Sequence, residues 1–203
     1  CYEGRTYEDF MRFIADNPDV PVVQMDSVIG NKSGKVLLTM FSRNTNLLLA
    51  FLRDHNTARS VLDVFNDLYA MFGRETYCRL FPVILTDRGS EFSNPVPIEQ
   101  DENDELRSLV FYCNPSAPYQ KGGIEVAHEL RRVLPKGKSF DDLQQEDIDL
   151  MLSHINSYKR GKLNSRSAYQ LFNFIYGDDI LPKLNIREIE ANDIVLSPKL
   201  LKK

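Results

Sequence analysis

The sequence predicts an α/β domain with a mixed five-stranded sheet flanked by helices. Three observations predict it. Three Val- and Leu-rich segments between residues 22 and 52 follow one another through short connections. One long helical pattern then separates them from a short apolar run at residues 83–86. Helical patterns dominate after residue 122. Short connections favour antiparallel neighbours, whereas a strand reached through a helix returns parallel.

Taken in order, residues 1–20 read as a polar lead-in, partly helical around Tyr7–Ala15. Val22–Ile29 reads as a strand and Gly30–Gly34 as a turn. Lys35–Phe41 and Asn46–Leu52 read as two more strands in an antiparallel meander. Thr57 can cap a helix that runs to Phe72 and stops at Gly73, with Val61, Phe65, Leu68 and Phe72 on one face. Val83–Thr86 is then a buried strand, parallel to the first, and Ser108–Tyr112 a fifth strand. Gly122–Leu134 reads as a helix stopped by Pro135. Asp147–Tyr158 is another, with Ile148, Met151, Leu152 and Ile155 inward, and Ala168–Tyr176 a third. Strand, strand, strand, helix, strand, strand, then helices is the order of the ribonuclease H-like fold. The core spans residues 21–176, and residues 177–203 form a polar tail.

Composition narrows the classes. The chain has 203 residues, 42% of them hydrophobic, enough for one domain with a sizeable core. No apolar run approaches the ~18 residues of a membrane span, and no secretory leader is visible. The chain begins at Cys1 rather than Met, which predicts a piece of a longer protein. Cys1, Cys78 and Cys113 show no CxxC spacing, so a disulfide framework and a zinc knuckle are unsupported; a reducing cytosol and packing roles for Cys78 and Cys113 follow. A net charge of -4 argues against an all-over nucleic-acid binder. The charge is segregated, however. Residues 99–105 and 141–149 each carry five acids and no base. Between them lie Lys121, Arg131, Arg132, Lys136 and Lys138, and further on Lys159, Arg160, Lys162 and Arg166. That pattern suits either a local phosphate-binding face or two solvated surfaces.

Three carboxylates stand out. Asp26 sits inside an otherwise apolar strand, where a charge needs a partner or a metal. Asp87 ends the fourth strand, beside the first in this topology. Glu125 lies in the first turn of a helix whose polar face also carries His128, Glu129 and Arg132, and whose apolar face carries Val126, Ala127, Leu130, Val133 and Leu134. A salt-bridged Asp26 and an ordinary surface helix would give the same pattern. If the three converge, hard oxygen ligands suit Mg²⁺ or Mn²⁺. Two such ions ~3.5–4 Å apart support phosphodiester displacement. Glu91 reads as surface, and His55 and His154 as structural.

The stretches "QMDSVIG", "LTDRGSEF" and "YCNPSAPYQKGGIEVAHELRRVLPKG" resemble the three acidic blocks of DDE transposases and retroviral integrases. The likeness is to bacterial insertion-sequence transposases of the insertion-sequence-thirty family. "PKGKSF" and "INSYKRGKLNSRSAYQLF" extend it, so that it covers roughly residues 20–176. Sixty residues separate Asp26 from Asp87, and 37 separate Asp87 from Glu125. Three blocks in order, each on the right kind of element, are a specific signal. Arg88 stands where the family commonly has Asn, Tyr119 where it often has Trp, and Val126 where it often has Asn. None of these departures removes a carboxylate.

The resemblance implies a catalytic and metal-binding triad of Asp26, Asp87 and Glu125 holding two Mg²⁺ or Mn²⁺ ions. It implies DNA cleavage followed by strand transfer, with transposon ends and target DNA as partners. It further implies a homo-oligomer in the active complex, a cytoplasmic, nucleoid-associated bacterial protein and an end-recognition region upstream of residues 1–20. Lys121, Arg131, Arg132, Lys159, Arg160 and Lys162 are the candidates for phosphate contacts, and Tyr119 and Gln120 for contacts near the scissile bond. His128, one turn after Glu125, is a candidate to orient a ligand. Two alternatives stay open: a hydrolytic nuclease of the same fold, and a DNA-binding or assembly module with a vestigial triad.

Overall fold

A computed structural model describes residues 2–31, 33–122 and 124–201, and of residues 124–126 the backbone alone. Five strands form one sheet: β1 (Val22–Ile29), β2 (Val36–Ser42), β3 (Leu48–Arg53), β4 (Val83–Thr86) and β5 (Leu109–Tyr112), in the order β3-β2-β1-β4-β5. β2 and β3 pair antiparallel, and β4 pairs parallel with both β1 and β5. The helices are α1 (Tyr7–Asp16), α2 (Ala58–Leu80), α3 (Val96–Glu99), α4 (Ile124–Val133), α5 (Gln145–Ser157), α6 (Ala168–Tyr176) and α7 (Ile180–Lys183). This is the ribonuclease H-like arrangement that the element order predicts. No helix among the described residues is long and apolar enough to cross a membrane. The chain separates into two compact units.

The first unit comprises residues 1–27, 42–44 and 55–122. Thr6 caps α1 in a reciprocal box with Asp9, and the helix buries Phe10 against Val22, Val83, Leu85, Phe111 and Cys113. Thr57 caps α2 as expected. The first helical run stops at Gly73, as expected, and a second follows it directly. Gly73 takes φ 72° and ψ 166°, a left-handed break, and helical backbone resumes as far as Leu80. Tyr77 and Leu80 supply the reason, because both are buried beyond the break. The outer edge of β5 is closed by its own unit. The Tyr112 N–H donates to the Arg5 carbonyl (2.8 Å) and the Val110 N–H to the Glu99 carboxylate (3.0 Å), which Arg5 also engages.

The second unit comprises residues 28–41, 45–54 and 123–203. Its β2–β3 hairpin leaves the outer edge of β3 facing α5, and two side-chain amides complete that edge. The Asn156 carboxamide accepts from the Leu48 N–H (2.9 Å) and donates to the Leu48 carbonyl (2.8 Å). Gln145 does the same for the Leu52 N–H (2.8 Å) and the Ala50 carbonyl (3.0 Å). Ile148, Met151, Leu152 and Ile155 point inward from α5 as predicted. The polar tail is anchored by Leu181, Ile186 and Leu201, all buried, and by an Arg187 N–H donated to the Ser153 hydroxyl (3.1 Å).

Asn156→Ala would strand a buried N–H and a buried carbonyl together. At about 1–3 kcal/mol for each unsatisfied group, the expected loss is about 3 kcal/mol. For a chain of this size that lowers the melting temperature by roughly 6–12 °C. Thermal unfolding of the variant checks it, and a shift below about 2 °C would show that the edge does not depend on the amide.

Candidate active site

The register of the sheet builds the site. β1 and β4 run parallel with Val22 opposite Val83, Val23 opposite Ile84 and Gln24 opposite Leu85. Continued two residues along both strands, that register sets Asp26 opposite Asp87. The Thr86 hydroxyl donates to the Met25 carbonyl (3.2 Å), tying the strand ends together just before the two carboxylates. Both acids fall just past the β1–β4 pairing: Asp87 follows the last residue of β4, and Asp26 lies inside β1 where its partner strand has stopped.

The two carboxylates share one cation. Lys121 Nζ lies 2.9 Å from Asp87 Oδ2 and 3.3 Å from Asp26 Oδ2. The other oxygens are held by main chain: Asp87 Oδ1 accepts from the Gly89 N–H (2.9 Å), and Asp26 Oδ1 accepts from the Ser27 N–H (2.8 Å). Each acid is thus oriented by backbone, with its second oxygen turned to a common point. About half of the Asp26 side chain meets solvent, and the rest is covered. That loss of water raises its pKa, the Lys121 charge opposes the rise, and the Asp87 charge adds to it. Cys113 is buried nearby and its thiol is pushed up by that burial, which leaves it inert.

A clamped loop delivers Lys121. Pro118–Gln120 forms a single 3-10 turn, and the Lys121 N–H donates to the Pro118 carbonyl (3.1 Å). The Asn114 N–H donates to Gln120 Oε1 (2.7 Å), and the Arg43 guanidinium donates to the Gln120 carbonyl (3.0 Å). Sequence reading missed Arg43, a lone base in a turn with no pattern around it. It missed Gln24 as well. Gln24 precedes Asp26 by two residues and so shares its face of the strand. Its buried amide nitrogen lies 3.4 Å from where a Cβ on Gly122 would sit, and neither amide atom is hydrogen-bonded among the described residues.

Gly89 explains the turn after Asp87. Its φ of -57° suits any residue, so conformation is not the reason for glycine. A Cβ there would lie 2.6 Å from Glu91 Oε2 and 3.1 Å from Asp87 Oδ1. Glycine makes room for the protein's own carboxylates. Glu91, read as surface, is buried in the 3-10 turn Ser90–Phe92 because Phe92 beside it enters the core. Gly89→Ala should therefore displace the Glu91 and Asp87 carboxylates while costing the fold little, since a flexible side-chain end absorbs the clash. We expect a melting temperature within about 3 °C of the parent, and a larger drop would show that the side chains do not absorb the clash.

The other candidates are dispersed. Tyr119 stands 79% exposed at the loop tip, whereas Gln120 is buried and its side chain is engaged by Asn114. α4 places Glu125 in its first turn, but the side chains of Glu125 and Val126 lie outside the described residues. His128 on the same helix is exposed. Glu129 pairs with Arg132 (3.0 Å), and Arg131 donates to the Ile29 carbonyl (3.4 Å). Lys159 and Lys162 are exposed. Arg160 is buried, its guanidinium donating to the carbonyls of Asn46 (3.2 Å) and Ile155 (3.4 Å), which gives it a structural place. His154 is structural as read: the Val195 N–H donates to its Nδ1 (3.0 Å).

No protein-family model matches the chain. It is 29% identical over 151 residues to the ORF3 protein of Spiroplasma virus SpV1-R8A2 B, which carries an integrase name; the match covers 74% of this chain and 45% of that protein. It is 23% identical over 151 residues to the transposase for insertion sequence element IS4351 of Bacteroides fragilis, covering 74% of this chain and 44% of the relative. It is 35% identical over 63 residues to the transposase for insertion sequence element IS1086 of Cupriavidus metallidurans, covering 30% and 19%. The chain thus spans less than half the length of these relatives. Among solved structures it is similar to a chain of a simian T-cell lymphotropic virus intasome, with a TM-score of 0.52, 16% identity and coverage of 85% of this chain and 58% of that one. It is also similar to the catalytic core domain of BIV integrase, with a TM-score of 0.48, 20% identity and coverage of 76% and 92%. The chain is similar to proteins named as an integrase and as insertion-sequence transposases, and its five-stranded sheet flanked by helices has the ribonuclease H-like fold.

Proposed function

We propose that the chain is the catalytic core of a transposase that cuts DNA and joins the freed 3′-hydroxyl to target DNA by metal-dependent phosphodiester chemistry. The observation that supports it most is the convergence of Asp26 and Asp87 on one cation where the pairing of two parallel strands stops. The donor set fits a hard divalent ion. Two carboxylate oxygens already face one positive centre, and backbone N–H groups hold their partners in place. Asp26 and Asp87, with Glu125 from α4, would hold two Mg²⁺ or Mn²⁺ ions. When bound, such ions activate the attacking oxygen and neutralise charge on the leaving one.

The chain's own residues do the remaining work. The rigid strand ends fix Asp26 and Asp87, so little reorganisation accompanies the reaction. Exposed Tyr119 at the loop tip is placed to meet a nucleotide. Arg132, Lys159 and Lys162 are the accessible candidates for phosphate contacts. The names of the relatives support DNA transposition as the setting, and an active assembly containing several copies is part of the same reading.

The test uses a labelled duplex with a free 3′-hydroxyl and a supercoiled plasmid. We expect the label to join the plasmid in Mg²⁺ or Mn²⁺ and not in chelator. Undiminished joining in chelator would overturn the metal reading. Metal-dependent nicking without joining would make the protein a nuclease of the same fold.

A further inference from the structure

We infer that Lys121 is an internal counterion that holds the position of a divalent metal between Asp26 and Asp87, and that metal entry displaces it. The inference rests on the metal-site reading above. Its Nζ lies 2.9 and 3.3 Å from the two Oδ2 atoms, which are the oxygens left to a shared cation once Ser27 and Gly89 have engaged the two Oδ1 atoms. The Lys121 side chain is only 15% exposed, so the ammonium is committed to the site rather than to solvent. Two carboxylates turned to one point repel without a cation between them. The ammonium removes that repulsion when no metal is present and keeps both acids in the geometry a metal needs.

The same features let it leave. The backbone of Lys121 is anchored through Pro118, and the preceding Gln120 is anchored through Asn114 and Arg43. The stem is a four-carbon chain with three rotatable donors, so the charge can swing out with the main chain fixed. A divalent ion and an ammonium cannot share the two Oδ2 atoms, because they repel one another and compete for the same lone pairs. Once displaced, the ammonium stays tethered beside the site, within reach of an anionic group such as a phosphate. Lys121 therefore weakens metal binding by the metal-free protein and couples metal entry to the release of a cation.

Calorimetric titration of Mn²⁺ into metal-free protein tests this with Lys121→Met, Lys121→Gln and Asp26→Asn. A residue that merely supports the fold should weaken Mn²⁺ binding when replaced. We expect the opposite: both Lys121 variants bind Mn²⁺ about tenfold tighter or more than the parent. They should also melt lower without metal and gain more in melting temperature from saturating Mn²⁺. Asp26→Asn should lose the site. If both Lys121 variants bind Mn²⁺ no tighter than the parent while Asp26→Asn loses binding, the counterion role is overturned and the metal reading stands. If neither parent nor Lys121 variants bind Mn²⁺, the metal reading fails and takes the inference with it.

Discussion

Asp26→Asn should lower DNA cleavage and joining by about a thousandfold and, at neutral pH, raise the melting temperature of the metal-free protein. The activity loss follows from removing one of the two oxygens turned to the shared cation position. The gain in stability follows from the sign of the Asp26 shift. Burial, with the Asp87 charge adding to it, raises the folded-state pKa above the ordinary carboxylate value, against the pull of Lys121. The folded protein therefore holds the proton more tightly than the unfolded chain does. Its stability falls as pH rises from the ordinary carboxylate range through the raised pKa, by an amount that solvent at the half-exposed carboxylate reduces. Asparagine carries no charge and escapes this fall. The difference in melting temperature between variant and parent should be small near pH 4 and grow toward pH 7. A variant less stable than the parent at pH 7 would mean that Lys121 outweighs the burial of Asp26.

Glu125→Gln should abolish joining and leave the fold intact, whereas Glu129→Gln should keep most activity. The two residues share one face of α4, one turn or about 6 Å apart along the axis. Glu129 already has an employment, its Oε2 lying 3.0 Å from Arg132. Losing an i,i+3 ion pair of this kind costs a few tenths of a kcal/mol. Glu125 stands at the helix start, and on the proposed function it supplies the third carboxylate. Activity and melting temperature measured on both variants decide between them. An inactive Glu129→Gln beside an active Glu125→Gln would place the catalytic acid one turn further along.

Much of this was legible in the sequence, and the failures have physical causes. β1 and β4 could be read because an apolar run must be buried, and Asp26 and Asp87 stood out against that background. That the two strands lie side by side and parallel was legible from the element order; the residue-by-residue register was not, since no local pattern encodes it. Asn156 and Gln145 go unread, and Arg160 reads as a phosphate contact, because a polar residue that completes a buried strand edge or binds buried carbonyls has the composition of a solvated one. Lys121 was read as a phosphate contact from its charge alone, and only the fold brings it onto two carboxylates 34 and 95 residues away. The helix stop at Gly73 was legible; the helical turns beyond it, which carry Tyr77 and Leu80 into the core, were not. The tail reads as polar because its apolar anchors, Leu181, Ile186 and Leu201, are few and spaced without a period.

Anomalous diffraction from crystals soaked in Mn²⁺ tests the central claim most directly. The account predicts a peak within coordination distance, about 2.0–2.2 Å, of carboxylate oxygens of Asp26 and Asp87, with Lys121 Nζ withdrawn from between them and Glu125 completing the donor set. A map with no peak at saturating Mn²⁺, and with Lys121 still bridging the two carboxylates, would contradict it.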